Sequence, residues 1–577
     1  VPVDELFDSS RRLTGPNLYF AGCGAVLEVF ETSPTVCADW ASGVRTMRAR
    51  LGWPDAELVV HIHQAGAALA MAAPQDMLYT ATEVNEWAWQ RVAPNVAHCA
   101  LPHAPGHPAS WDDELAGHTL LRLAADESNP RAMALMQAAS ARGLPAFFDD
   151  DGLTLGAGEG GRTWALDALP ADAGCADLHD IPTVLVTGSN GKTTSVRLLA
   201  ALFAHAGRTA GFNCTDGVFV GHECVAQGDY SGPNGARRVL RDTRVQAAIL
   251  ETARGGILRR GLAVQRANAA LVTNVSADHF GEYGVHDLSD LADAKLVVAR
   301  AVHADGVLVL NADDPLLVEK SASLACAPAW FSLDDGNPVL VAHRQRGGAT
   351  CGVDAGVLTL SVDGQRHRLG KVAEMPLTLE GSARYNIANL AGAALLAATQ
   401  GVSAQAIAAV LMQFGGTRKD NPGRLERWHI RGADILLDYA HNPDGLAGLL
   451  AVAARLRQQR GARLGLLLGQ AGNRDDEAIR DLARTAAAVA PDLVVLKDLD
   501  GYIRGRRAGE VPEILREQLL LQGLSEASLQ TILSEVEAAQ AILAWSRPGD
   551  VLVLPVHNLS ARAQLIEWLQ GNGGVSG

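Results

Sequence analysis

Residues 183–203 are TVLVTGSNGKTTSVRLLAALF, a set of types and spacings suited to phosphate chemistry. An apolar run ends at Thr187, a glycine-rich turn covers Gly188 to Gly191, and an amphipathic helix is expected from Lys192. Glycine lets the backbone curl until successive N–H groups face one phosphate, and a helix N-terminus adds partial positive charge. In that frame Gly188, Asn190 and Gly191 shape the loop, with Thr194 just beyond it. Lys192 reaches the β- and γ-phosphates, and the Thr193 hydroxyl binds Mg²⁺. An incidental glycine turn with a surface lysine would need neither a buried strand before it nor an amphipathic helix after it. The loop is shorter than the GxxxxGK(S/T) form. Its ligand class is a nucleotide.

Such a loop needs a sheet behind it, and the chain supplies one. From Ile181 onward short apolar runs (TVLVT, AAILET, AALVTNV, GVLVLN) alternate with amphipathic stretches, the texture of a buried parallel sheet. ILLDYA, RLGLLLG, LVVLKD and DVLVLP repeat that texture from near Asn421. Residues 1–175 differ, being rich in Trp, His, Ala and Pro, with a helical pattern over Met133–Ala141 and a hairpin or linker over Gly152–Gly174. The expected architecture is α/β: a separate α/β N-terminal domain (1–175), a P-loop domain (176–420) and a Rossmann-like C-terminal domain (421–577). At about 150 residues per domain, 577 residues allow three or four.

Composition narrows the class. With 48% hydrophobic and 20% charged residues this is an ordinary globular chain. A net charge of −15 argues against non-specific binding to nucleic acid or anionic membranes. Eight cysteines without a CxxC fit reduced thiols, Val1–Arg12 is polar and acidic with no signal-peptide pattern, and no apolar run reaches transmembrane length. The expected location is the cytoplasm. His98, Cys99, His103 and His107 sit in a Pro-rich stretch that matches no zinc spacing, and structural or solvent roles are expected for them.

The motifs NCTDGVFV, GDYSGPNGARRVLRD, ILETARGGILRRGL, VTNVSADHFGEYG and VLNADDP follow the phosphate loop in that order. After them come MPLTLEGSARYNIANLAGA, DYAHNPDG, GNRDDEAIRDLA, IRGRRAGEVPEIL and RPGDVLVLP. Together with TGSNGKTT they resemble the Mur ligase superfamily, and within it the Mur-ligase-like half of the cyanophycin synthetases, over about 180–570. RRLTGPNLYF (11–20) and ARGLPAFFDDDGLTLGAGEGGRTW (141–164) resemble the N-terminal part of the same family. The chain then passes almost directly to the phosphate loop, so the family's ATP-grasp domain is expected to be missing.

The resemblance implies an ADP-forming ligase that joins a carboxylate to an amine through an acyl phosphate, using ATP and Mg²⁺. It assigns Glu251 and Thr193 to one Mg²⁺ and His279 to a second. Lys295 matches a lysine that many Mur ligases carbamylate; an unmodified ammonium would repel the metal, so either a carbamate forms or Lys295 does something else. Asn386 and Asn389 are implied near the nucleotide, or cap a helix. Arg424 is implied on the ATP phosphates and Asp438 near the ribose, while His441 contacts phosphate or caps a helix. Arg504, Arg506, Arg507 and the loop 471–476 are candidates for acceptor recognition, at least one of those arginines being simply solvated. Amino-acid or peptide substrates of aspartate/arginine type are expected, with homo-oligomerisation left open. The competing readings are a nucleotide-binding accessory subunit of a polymer synthetase and a folylpolyglutamate-type glutamate ligase. An NTPase switch is weaker, because there is no NKxD sequence.

Overall fold

The computed structural model describes residues 9–30, 32–92, 112–172, 174–277, 280–499 and 501–576. The alternation of apolar runs and amphipathic stretches becomes an eleven-stranded sheet. Its strands are β8 (Thr183–Thr187), β9 (Ala210–Cys214), β10 (Gly217–Val220), β11 (Glu223–Gln227), β12 (Ala247–Glu251), β13 (Ala267–Val272), β14 (Val302–Asn311), β15 (Pro328–Phe331), β16 (Thr350–Asp354), β17 (Val357–Val362) and β18 (Gln365–Lys371). The order is β11-β10-β9-β12-β8-β13-β14-β15-β16-β17-β18, parallel from β9 to β16 and antiparallel at both ends. Both faces are covered. Val184, Val186 and Ile249 pack under helices Lys192–His205 and Arg384–Thr399, while Leu185, Leu250 and Ala270 face the opposite core. This two-sided burial is why the strands are continuously apolar instead of alternating.

β8 lies in the middle, with β12 on one side and β13 on the other. The chain leaves β8 towards β9, returns through β12 and crosses over β8 to reach β13. The carboxyl ends of these three strands therefore open at a topological switch, where open α/β sheets leave a crevice.

A second sheet carries β19 (Glu426–Ile430), β20 (Ala433–Asp438), β21 (Leu464–Leu468), β22 (Leu493–Leu496), β23 (Leu529–Thr531), β24 (Val551–Pro555) and β25 (Val575–Ser576). Its order is β23-β22-β21-β24-β20-β19-β25, with five parallel strands and an antiparallel edge pair, β19 and β25. The N-terminal sheet is β1 (Ser9–Leu13), β2 (Gly24–Val29), β4 (Gly66–Ala72) and β3 (Leu58–His63) in that spatial order, and it is wholly antiparallel. Helices Pro34–Leu51 and Leu78–Gln90 pack on it around Trp40 and Trp87. A small sheet, β5 (Ala146–Asp149), β6 (Gly152–Leu155) and β7 (Arg162–Trp164), covers the stretch read as hairpin or linker.

The two large sheets are clamped by charge. Asp216, just after β9, accepts from Arg197 at 3.2 Å and from Arg562 of helix Leu559–Gly571 at 2.9 Å, with all three side chains nearly buried. Burial alone would raise the Asp216 pKa, but Arg424, Arg562 and Arg197 outweigh it and hold the carboxyl at about 2. A folded pKa below the ordinary 3.8 stabilises above that value, and the contribution disappears as pH falls through about 2. The shift corresponds to about 2 kcal/mol at neutral pH. Asp216→Asn leaves two buried guanidinium groups facing each other and is expected to cost about 3 kcal/mol. In thermal melts the variant should unfold earlier at pH 7, and its deficit should shrink between pH 4 and 2; a deficit independent of pH would remove the clamp.

Candidate functional site

The phosphate loop joins β8 to helix Lys192–His205, with the strand ending and the helix beginning where the sequence placed them. Two glycines make the turn possible. Gly188 has φ 145° and Gly191 has φ 84°. A Cβ on Gly188 would lie 1.8 Å from Thr273 Oγ1, and one on Gly191 2.1 Å from Asn389 Oδ1. The loop is held from β13: Thr273 Oγ1 donates to Asn190 O at 2.6 Å, and Asn190 N donates to Asn274 Oδ1 at 3.0 Å. No side chain caps the helix at Gly191. Its first-turn amides are available to an anion, in the field of the helix dipole. Lys192 Nζ donates to the carbonyls of Gly188 and Ser189, both at 2.9 Å.

Glu251 ends β12 and is 1% exposed. Thr193 Oγ1 donates to its Oε2 at 2.8 Å, and Thr215 Oγ1 lies 3.4 Å from Oε1. Burial raises the Glu251 pKa, against the pull of Lys192 and the Thr193 hydrogen bond. A buried carboxylate with this bias gains from a cation. One carboxylate and one hydroxyl are hard oxygen donors, the kind of set Mg²⁺ takes when phosphate and water fill the remaining positions. The chain's residues therefore fit Mg²⁺ at Thr193 and Glu251. His279 lies outside the described residues, as do His98, Cys99, His103 and His107.

Two cavities meet at this point. The smaller, about 320 Å³, is lined by Asn190, Gly191, Lys192, Thr193, Thr194, Asn386, Asn389, Arg424 and Asp438. The larger, about 650 Å³, is lined by Gly188, Arg254, Glu282, Tyr283, Lys295, Arg474 and Arg504 among others. Lys192, Thr215, Glu251, Tyr439 and His441 line both.

Several expectations change in detail. Asn386 and Asn389 do not cap the helix: both are buried within Arg384–Thr399, Asn386 Nδ2 donating to Leu377 O at 3.0 Å and Asn389 Nδ2 to Asn386 Oδ1 at 3.2 Å. Asn442, not His441, caps helix Pro443–Arg460. Lys295, matched by the resemblance to a lysine that many Mur ligases carbamylate, is 2% exposed and lines the larger cavity. Asp438 accepts the Leu425 amide at 2.6 Å; burial raises its pKa against the Arg424 charge. Arg424 stacks 4.4 Å from the Tyr439 ring centre. Of the arginine cluster, Arg506 binds Asp476 and Glu510 and Arg507 pairs with Glu513, whereas Arg504 lines the cleft. The structure brings Lys192, Thr193, Glu251, Asn386, Asn389, Arg424 and Asp438 to one cavity and keeps Arg506 and Arg507 out of both.

The loop is shared across the junction. Asn190 Nδ2 donates to Asp444 Oδ2 at 2.8 Å, Asn442 Nδ2 donates to Asn190 Oδ1 at 3.0 Å, and Asn421 Nδ2 donates to Thr194 Oγ1 at 3.1 Å. Thr215, Asp216, Asn274 and Tyr439 have roles that sequence reasoning missed. Each follows the carboxyl end of a parallel strand, and that position was the available signal.

Fold and site define a P-loop α/β domain that shares its phosphate pocket with a following Rossmann-like domain. Residues 186–397 match the Mur ligase middle domain, and residues 423–555 match the Mur ligase glutamate ligase domain. The chain belongs to the Mur ligase family. The cyanophycin synthetase of Geminocystis herdmanii is 35% identical over 387 residues, which are 67% of this chain and 44% of that protein. The cyanophycin synthetase of a Nostoc species is 36% identical over 388 residues, 67% and 42% of the two chains. The UDP-N-acetylmuramoyl-L-alanyl-D-glutamate–2,6-diaminopimelate ligase of Chlorobaculum tepidum is 27% identical over 378 residues, 64% and 70%. This chain spans less than half the length of the cyanophycin synthetases it matches. Among the described residues no helix is long and apolar enough to cross a membrane.

If Glu251 serves the cation, Glu251→Ala should cut nucleotide turnover by about 10²-fold or more and raise the Mg²⁺ concentration required. An unchanged Mg²⁺ titration midpoint in a folded variant would make Glu251 a structural carboxylate.

Proposed function

We propose that this chain is an ATP-dependent, ADP-forming carbon–nitrogen ligase that makes an amide or isopeptide bond through an acyl phosphate. One observation carries the reading: two cavities, one beside the phosphate loop and one large enough for amino-acid substrates, share Lys192, Thr215 and Glu251. A hydrolase or switch needs the first space but has no use for the second.

In this reading the nucleotide lies between the phosphate loop and helix Arg384–Thr399, with Asn386 and Asn389 near it and Asp438 on the side of the ribose. The substrate carboxylate oxygen attacks the γ-phosphorus and ADP leaves. Lys192 exchanges its bonds to the loop carbonyls for phosphate oxygens, and Arg424, over the Tyr439 ring, meets the charge that develops during transfer. Mg²⁺ held by Thr193 and Glu251 neutralises phosphate charge when bound. The amine then attacks the acyl carbon, phosphate departs, and the amine's proton passes to a base or to water. Lys295, buried beside the larger cavity, would either orient the carboxylate as an ammonium or, after losing a proton and adding CO₂, carry a carbamate able to hold a second ion with His279. Residues 1–175, 176–420 and 421–577 act as the three units, working in the cytoplasm where ATP is available.

Aspartate- and arginine-type substrates come first, on the likeness to the cyanophycin synthetases. A glutamate-adding reaction is the second reading, favoured by the match of 423–555 to a glutamate ligase domain. ADP release with product masses, screened over amino acids, aspartyl–arginine peptides and glutamate acceptors, separates them. The expected result is ADP release that needs both a carboxylate and an amine substrate, and that falls by about 10³-fold in folded Lys192→Ala. Rapid ATP hydrolysis with no amino acid present would favour a switch instead.

A further inference from the structure

The N-terminal unit reaches into the larger cavity. Thr14 N donates to Arg260 O and Leu262 N donates to Pro16 O, both at 2.7 Å, so the end of β1 runs beside the end of helix Arg254–Arg260. The approach is close: a Cβ on Gly15 would lie 2.2 Å from Leu262 O. Main-chain docking of this kind fixes the register of β1 against the ligase domain. Ser9, Ser10 and Arg11 consequently line the same cavity as Lys192 and Glu251.

Arg11 is buried, and its guanidinium is engaged on every side. Nη2 donates to Glu28 Oε1 at 2.7 Å, Nε donates to Leu258 O at 3.2 Å, and Cζ sits 4.3 Å from the centre of the Tyr283 ring. Tyr283 has φ 55°, a left-handed conformation that a bulky residue holds only when its surroundings enforce it. The Tyr283 hydroxyl accepts from Arg259 at 3.0 Å, and the neighbouring Glu282 pairs with Arg254 at 2.6 Å. The second oxygen of Glu28 meets His63 at 3.3 Å, and His63 Nδ1 lies 3.2 Å from His286 Nε2. Residues 280–287 are thus gripped by the ligase domain on one side and by Arg11 and His63 of the N-terminal unit on the other.

We propose that Arg11 is a positioning residue for the amino-acid side of the site: through Tyr283 it sets the 280–287 wall of the larger cavity, so the N-terminal unit is part of the ligase centre. The kinetic consequence rests on the ligase reading; the structural one does not. Nothing from β1 lines the nucleotide cavity, so losing Arg11 should loosen one substrate and spare the other.

The test compares the full chain with Arg11→Met and Arg11→Lys by hydrogen–deuterium exchange and by steady-state kinetics. In Arg11→Met, amides in 280–287 should exchange about tenfold faster, the Gly281 N–H bonded to Val285 O among them. The KM for the amino-acid substrate found by ADP release should rise about tenfold, while the KM for ATP stays within about twofold. Arg11→Lys keeps a charge for Glu28 but loses the guanidinium over the Tyr283 ring, and should fall between wild type and Arg11→Met. If Arg11→Met does not fold, Arg11→Lys decides by the same criteria at smaller amplitude. Unchanged exchange in 280–287, or equal rises in both KM values, would overturn the proposal. A wild-type protein that releases no ADP with any amino acid contradicts the ligase reading, and the exchange comparison then decides the role of Arg11 by itself.

Discussion

The structure depends on one steric constraint, the turn from Gly188 to Gly191. Neither glycine can carry a side chain, because Thr273 and Asn389 occupy the places where a Cβ would go. That lack of space brings the end of β13 and helix Arg384–Thr399 hard against the loop, one at each glycine. The loop is therefore rigid before any ligand arrives, and the uncapped first turn of helix Lys192–His205 faces a cavity whose far wall belongs to another domain. Preorganised amides of this kind stabilise phosphate charge without reorganising during reaction.

Around the turn acids and cations gather, and burial strengthens every pairing among them. Glu251 and Asp216 are buried acids and Asp438 a half-buried one; Lys192, Arg424, Arg197 and Arg562 face them. Asp216 alone has cations enough to lower its pKa, and it sits on the seam between the sheets. Glu251 and Asp438 are biased the other way, Glu251 at the position a cation would occupy. Asp216 thus has its neutralising charge supplied by the protein, whereas burial dominates at Glu251 and Asp438. Asn190, bonded to Asp444 and Asn442, ties the loop to the start of helix Pro443–Arg460 beside the second large sheet.

Local features were legible in the sequence and long-range ones were not. The phosphate loop could be bounded to the residue because strand, turn and helix each carry their own signal within 21 residues. The buried strands were visible as apolar runs because both sheet faces are covered. Lys295 was singled out by resemblance, but nothing in its neighbours reveals that its side chain is buried beside a cavity. Asp216 lay inside a motif that was noticed, yet its partners Arg197 and Arg562 come from helices 19 residues before it and 346 after it. Arg11 and Tyr283 meet across an even less predictable gap, between two sheets of different topology. Periodicity reports which face is buried but is silent on what it is buried against.

In the proposed ligase the carboxylate is phosphorylated before the amine attacks. Substrate labelled with ¹⁸O in its carboxylate tests this directly. With ATP, Mg²⁺ and the amine present, one labelled oxygen should appear in the released inorganic phosphate for each amide bond formed. ADP formation with all label kept in the amide product and water, and none in phosphate, would contradict it.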